Sequence, residues 1–294
     1  MPGYIRRQAK PTITPVELDH GEAVEFTLAG GQVRRLTVLG TSARIVEGHK
    51  GAARLYAFSC DLDLDGQPLR IDRIIPDQRT FCEPTEVAGL RIWLDAVSDI
   101  FASDGGFLVE KDPDVGIFCC PRKKARLALQ DARLRICPGR VALWYPNPER
   151  RIDVRECYRG EDTWMGPYEG ASAHGGLDVN MPAGTPLYAP ISFNDQFLFH
   201  CLATGQRNNR WRGIRRWPDG SVWCLQTHHV IKLLVPEHTP LKRGAHYASA
   251  AGVMVGVREH THFVWGLFDH GEPYFIDPWL IFWQSFRDTG GGGR

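Results

Sequence analysis

From residue 24 onward the apolar side chains recur at every second position, which commits much of the chain to extended structure rather than helix. Val24, Phe26 and Leu28 alternate with polar neighbours, Gly30-Gly31 turns the chain, and Val33, Leu36 and Val38 follow. Leu62 and Leu64 lead into Asp65-Gly66, a hairpin signal, with Leu69 and Ile71 beyond it. Leu90, Ile92 and Leu94 alternate with Arg91, Trp93 and Asp95. Leu127 with Leu129, and Leu134 with Ile136, read as two further strands. Many short strands punctuated by turns predict an all-β chain whose N-terminal part is a β-sandwich.

The chain has 294 residues, enough for two domains. The segment from Tyr145-Pro146-Asn147-Pro148 to Arg155 reads as a domain edge, which divides the chain into an accessory domain at 1–150 and a second domain at 151–284. Residues 285–294, ending Gly-Gly-Gly-Gly-Arg, read as a flexible tail. A formal net charge of +1 provides no bulk field to recruit nucleic acid or an anionic membrane, so no nucleic-acid partner is expected. No run approaches the roughly 18 apolar residues of a spanning helix, and no secretory signal is visible at the start. The eight cysteines form no Cys-x-x-Cys pair, and most are expected as free, buried thiols.

Histidine is distributed unevenly: nine of the eleven lie after residue 170. His20 and His49 stand alone, and nothing in residues 1–140 points to chemistry. Three later segments do. In His174-Gly175-Gly176-Leu177-Asp178 the imidazole and the carboxylate are four residues apart, about 13 Å on a straight strand and too far to share one ion. The two glycines disfavour a helix but permit a sharp bend, which would bring both groups to one cation. In His260-Thr261-His262-Phe263 the two histidines share one face of a strand, about 6–7 Å apart. Thr227-His228-His229-Val230 lies within the apolar stretch from Val222 to Val235, where adjacent buried histidines need polar partners.

Taken in order, these segments resemble the lysostaphin-like zinc peptidases of the M23 family. That family's H-x-G-x-D is matched by His174 to Asp178, its G-T-P-V-x-A strand by Gly184 to Ala189, and its H-x-H-F by His260 to Phe263. Leu241-Lys242-Arg243-Gly244 is similar to the family's V-x-x-G hairpin, and Ile276-Asp277-Pro278-Trp279-Leu280 to its closing D-P-x-x-L. The resemblance covers about residues 160–282. The tyrosine two residues before the family's middle histidine has no counterpart among Leu225, Gln226 and Thr227, and Val255 to Glu259 replaces the family's T-G-x-S-x-G-P.

The resemblance implies an antiparallel β-sheet metallopeptidase domain holding one Zn²⁺ per chain on His174, Asp178 and His262. Three protein ligands leave a fourth position for water, the arrangement of a catalytic zinc, and the ion brings the pKa of that water toward about 7. His260, together with one of His228 or His229, is assigned to activating the water or stabilising the oxyanion. The apolar residue that follows favours His229, whereas counting from the Gly220 turn favours His228. The implied partner is a peptide or peptidoglycan substrate, and the implied location is the cell envelope or outside the cell. An inactive cell-wall or peptide-binding module is the alternative. His200, His238, His246 and His270 are expected to be structural or exposed. The basic and aromatic run from Arg207 to Trp217 reads as a loop that, in a peptidase, borders the groove and grips carboxylates.

Overall fold

The computed structural model describes residues 4–49, 52–75, 82–101, 121–152, 167–168, 172–201, 208–255 and 258–290. Among these residues the chain is built of β-strands, with one α-helix near the end. It divides into two compact units, Met1–Pro138 with Met165–Gly175, and Gly139–Trp164 with Gly176–Arg294.

The first unit contains β1 (Tyr4–Gln8), β2 (Thr14–Leu18), β3 (Ala23–Thr27), β4 (Val33–His49), β5 (Ala52–Leu64), β6 (Gln67–Ile75), β7 (Thr85–Val87), β8 (Leu90–Val97) and β9 (Ala125–Asp131). A two-stranded ribbon of β10 (Pro167–Tyr168) and β11 (Ser172–Ala173) completes it. One sheet has the order β1-β3-β4-β5-β6 and the other β2-β9-β8-β7. β8 lies against β4, β5 and β6, so the sheets stack face to face. Val24, Phe26, Leu36, Val38 and Leu62 from the first sheet are buried, as are Val16, Ile92, Leu94, Leu127 and Leu129 from the second. The sandwich that the sequence predicts is present, and while β3 and β6 bury alternate positions, β2, β8 and β9 are buried along their whole length. The Asp65-Gly66 signal is a two-residue hairpin between β5 and β6, with φ of 55° and 83° at the two positions. These are the positive angles that match a hairpin to strand twist.

The strand expected at Leu134 and Ile136 is absent. β9 ends at Asp131, whose carboxylate accepts hydrogen bonds from the Ala29 and Arg133 N–H groups and from the Arg133 guanidinium. Those bonds turn the chain, and they hold the Asp131 carboxyl down at about 2, with the Arg133 hydrogen bond the largest cause.

The second unit contains β12 (Leu177–Asn180), β13 (Pro186–Tyr188), β14 (Asp195–Phe199), β15 (Asn209–Arg216), β16 (Val222–Leu233), β17 (His246–Ala250), β18 (Val253–Val255), β19 (Arg258–Asp269) and β20 (Glu272–Ile276). They form one sheet with the path β12-β19-β16-β15-β14, to which β13, β17, β18 and β20 are added. Every pairing in it is antiparallel. Helix α1 (Trp279–Thr289) closes the unit, its start fixed by Asp277, whose carboxylate accepts the Trp279 N–H at 2.9 Å.

The two faces of this sheet differ. Trp211, Thr227 and Phe263 are neighbours across β15, β16 and β19, and all are fully buried. Trp211 stacks on Tyr247 at 3.9 Å, and the Tyr247 hydroxyl hydrogen-bonds Thr227 and the Trp144 indole. The residues one position along each strand point the other way.

Two boundaries differ from those read in the sequence. The units divide after Pro138 rather than at residue 150, because Val141, Trp144 and Tyr145 are buried in the second unit. The Trp144 ring lies 4.7 Å from Phe263 and 5.7 Å from Phe282. The tail expected from residue 285 begins later, since α1 runs to Thr289 and Ser285 is buried. Cys60 and Cys224 carry free thiols, and burial pushes Cys60 up to about 12 and Cys224 to about 11. Cys119, Cys120 and Cys157 lie outside the described residues.

Candidate metal centre

The pairing of β12 with β19 places Asp178 directly opposite His262 and Asn180 opposite His260. Asp178 Oδ1 lies 2.6 Å from His262 Nδ1. His174 is buried four residues ahead of Asp178, and one donor atom from each of His174, Asp178 and His262 falls within 4.8 Å of the others. The distance that a straight strand would impose does not arise. β11 ends at Ala173 and β12 begins at Leu177, leaving His174, Gly175 and Gly176 outside both strands.

Gly176 has a second role that the sequence reading did not find. A Cβ built on it would lie 2.4 Å from His262 Cε1, 2.5 Å from Nε2 and 2.6 Å from the Phe263 carbonyl oxygen. The imidazole of His262 occupies the space a side chain would fill. Gly176→Ala is therefore expected to displace that ring, weakening metal affinity by at least tenfold and stability by about 1–3 kcal/mol, as overpacking does. Metal titration and thermal unfolding of the variant check this.

His260 sits behind the pair at 1% side-chain exposure, its Nε2 3.6 Å from Asp178 Oδ2. Its Nδ1 is 2.9 Å from the carbonyl of Val253 on β18, the residue it pairs with. That carbonyl can only accept, so in the neutral ring Nδ1 carries the proton and Nε2 keeps its lone pair.

A bulge in β16 separates the environments of His228 and His229. Asn209 pairs with Val230 and Arg210 with His228, so His229 is an extra residue in β16 and takes φ 59°. The His228 ring lies 4.6 Å from His262, and the His229 ring 4.5 Å from His260. Both reach the cluster. Burial, reinforced by the neighbouring histidines, pushes His228 well below the usual imidazole range and His229 down to about 3. Burial also lowers His260. Burial thus favours the neutral form of all three. His229 Nδ1 is buried without a hydrogen-bond partner.

Two imidazoles and one carboxylate are the nitrogen and oxygen donors of a three-ligand zinc site. The cradle at Gly176 and the orphaned His229 nitrogen fit a small cation with polar ligands of its own. The other second-unit histidines, His200, His238, His246 and His270, are exposed. The basic run is in part a strand, β15, rather than a loop.

No family model and no curated protein matches the chain. Solved structures similar to it include the catalytic domain of the antimicrobial peptidase lysostaphin from Staphylococcus simulans. That match has 22% identity over 40% of this chain and 87% of the other, with a TM-score of 0.32. A second structure of lysostaphin from the same organism matches at 19% identity over 52% of this chain, with a TM-score of 0.36. The chain spans only 59% of its length. A zinc-containing peptidase from Vibrio cholerae matches at 13% identity over 90% of this chain and 85% of the other, with a TM-score of 0.33.

Proposed function

We propose that the chain from about His174 onward is a zinc-dependent endopeptidase that cleaves peptide bonds in peptidoglycan cross-links or glycine-rich peptides at the cell envelope. The observation that carries this reading is the meeting of His174, Asp178 and His262 at one point, with three neutral histidines packed against them. His174, Asp178 and His262 would hold the ion. A zinc ion there supplies a Lewis acid for the scissile carbonyl and an acidified water.

The remaining work falls to the chain itself. His262, at 12% side-chain exposure, is more open than Asp178 at 2% and His260 at 1%, and marks the side from which a peptide approaches. His260 Nε2, oriented by the Val253 carbonyl, is placed to take a proton near Asp178. His229, neutral and with a free Nδ1, is placed to share a proton or hold the developing oxyanion. Among the described residues no helix is long and apolar enough to cross a membrane.

Elemental analysis of protein purified without chelator, followed by digestion of purified peptidoglycan before and after chelation, tests the reading. One zinc per chain and chelator-sensitive release of peptide ends are expected. A protein that neither contains nor takes up zinc overturns it. A zinc-loaded protein that binds cross-links without cutting them would instead be the inactive binding module.

A further inference from the structure

We infer that Arg210 and Arg212 form a carboxylate-binding subsite beside the candidate metal centre, so that the preferred peptide carries a free carboxylate near the scissile bond. The identity of that bond rests on the peptidase reading above; the subsite itself rests on sheet geometry.

Trp211 points into the core, stacked on Tyr247. Its neighbours Arg210 and Arg212 therefore project from the opposite face of β15. That is the face of His228, Arg210's partner on β16, and hence of the His262 ring 4.6 Å beyond it. With strands about 4.8 Å apart, β15 lies roughly 10 Å from β19. An arginine side chain spans much of that distance, and so do about two or three extended peptide units.

Arg210 and Arg212 are both half-buried. No carboxylate forms an ion pair with either residue among the described residues, and the Nε of each is buried without a hydrogen-bond partner. Phe199, paired with Arg210 on β14 and 54% exposed, has the Arg212 guanidinium 6.0 Å from its ring centre. A cationic pair beside an exposed aromatic fits an acidic peptide, with the carboxylate on the arginines and the backbone or side chain against the ring. The other two arginines of β15 do not contribute. Arg215 lies over the Trp217 ring at 4.6 Å, and Arg216 is exposed at the strand end. A net charge of +1 favours a local carboxylate over a nucleic-acid backbone.

The test uses fluorescently labelled, cross-linked stem peptides in two forms, with side-chain and α-carboxylates free or amidated. Binding and cleavage are both measured for wild-type protein, Arg210→Gln, Arg212→Gln and the double variant. Thermal unfolding establishes that the variants fold. The wild type is expected to bind the free-carboxylate form at least tenfold more tightly. The double variant is expected to lose about 10- to 100-fold on that form and little on the amidated one, with the loss in KM rather than kcat. Equal wild-type affinity for the two forms, equal losses on both, or no binding of either overturns the subsite. So does tighter binding of a single-stranded oligonucleotide than of the acidic peptide. Selective binding without cleavage of either form supports the subsite and removes the peptidase reading instead.

Discussion

His262→Ala is expected to reduce the metal content from one ion per chain to a small fraction and to abolish hydrolysis. The side chain faces Asp178 across the β12–β19 pair with its Nδ1 2.6 Å from the carboxylate, so its loss removes one of the three proposed ligands. Disturbing only an outer partner of a metal ligand typically costs about 10–100-fold in affinity, and losing a ligand costs more. Binding to the native state also stabilises it, by about 2.7 kcal/mol when the free ion is at 100 times its Kd. The thermal midpoint of His262→Ala should therefore fall by roughly 5–10 °C and cease to respond to chelator. His246→Ala is the control, an exposed residue whose ring lies 5.3 Å from Tyr188, and it should keep both ion and activity. The measurement is metal content together with unfolding curves with and without chelator. An unchanged ion content in His262→Ala would remove the residue from the ligand set.

The meeting of His174, Asp178 and His262 was legible in the sequence because coordination chemistry demands particular donors, and few residues provide them. Glycines beside His174 signalled a bend, and the alternation in His260-Thr261-His262 signalled a shared strand face. What stayed hidden depends on contacts distant in sequence. The need for glycine at residue 176 comes from a histidine ring on β19. The shared reach of His228 and His229 comes from a register shift against β15, which period-2 reasoning cannot anticipate. Arg210 and Arg212 looked like part of a loop until Trp211 fixed which face each occupies.

The fold shows the same division. Strands with one buried face were readable from alternation, and the Asp65-Gly66 hairpin from its turn chemistry. Helix α1 buries seven consecutive residues, Trp279 to Ser285, so it lacks the polar stripe that marks an amphipathic helix. The stretch around Tyr145 has the prolines of a linker. Yet Asn147 donates to the Tyr145 hydroxyl and to the Arg151 carbonyl, satisfying buried polar groups that a true linker would leave to water.

Alanine at His260 or at His229 is expected to leave the metal in place and to lower turnover by roughly 10²–10⁴-fold, the usual range for a lost proton-transfer or oxyanion partner. Neither residue belongs to the converging set of three, but each packs against it. His260 Nε2 is 3.6 Å from Asp178, and the His229 ring is 4.5 Å from that of His260. Position 229 carries an additional signature. With φ at 59°, any residue with a Cβ there is held at a cost of about 1–2 kcal/mol relative to ordinary backbone, and glycine is not. His229→Gly should therefore be more stable than His229→Ala by about 1 kcal/mol while being equally inactive. Metal content, kcat and thermal unfolding of the three variants decide between the alternatives. Metal loss in His260→Ala with retention in His262→Ala would reverse the roles of those two histidines. Equal stability of the glycine and alanine variants at 229 would show that the bulge does not form, and His229 would then lose its place beside the metal.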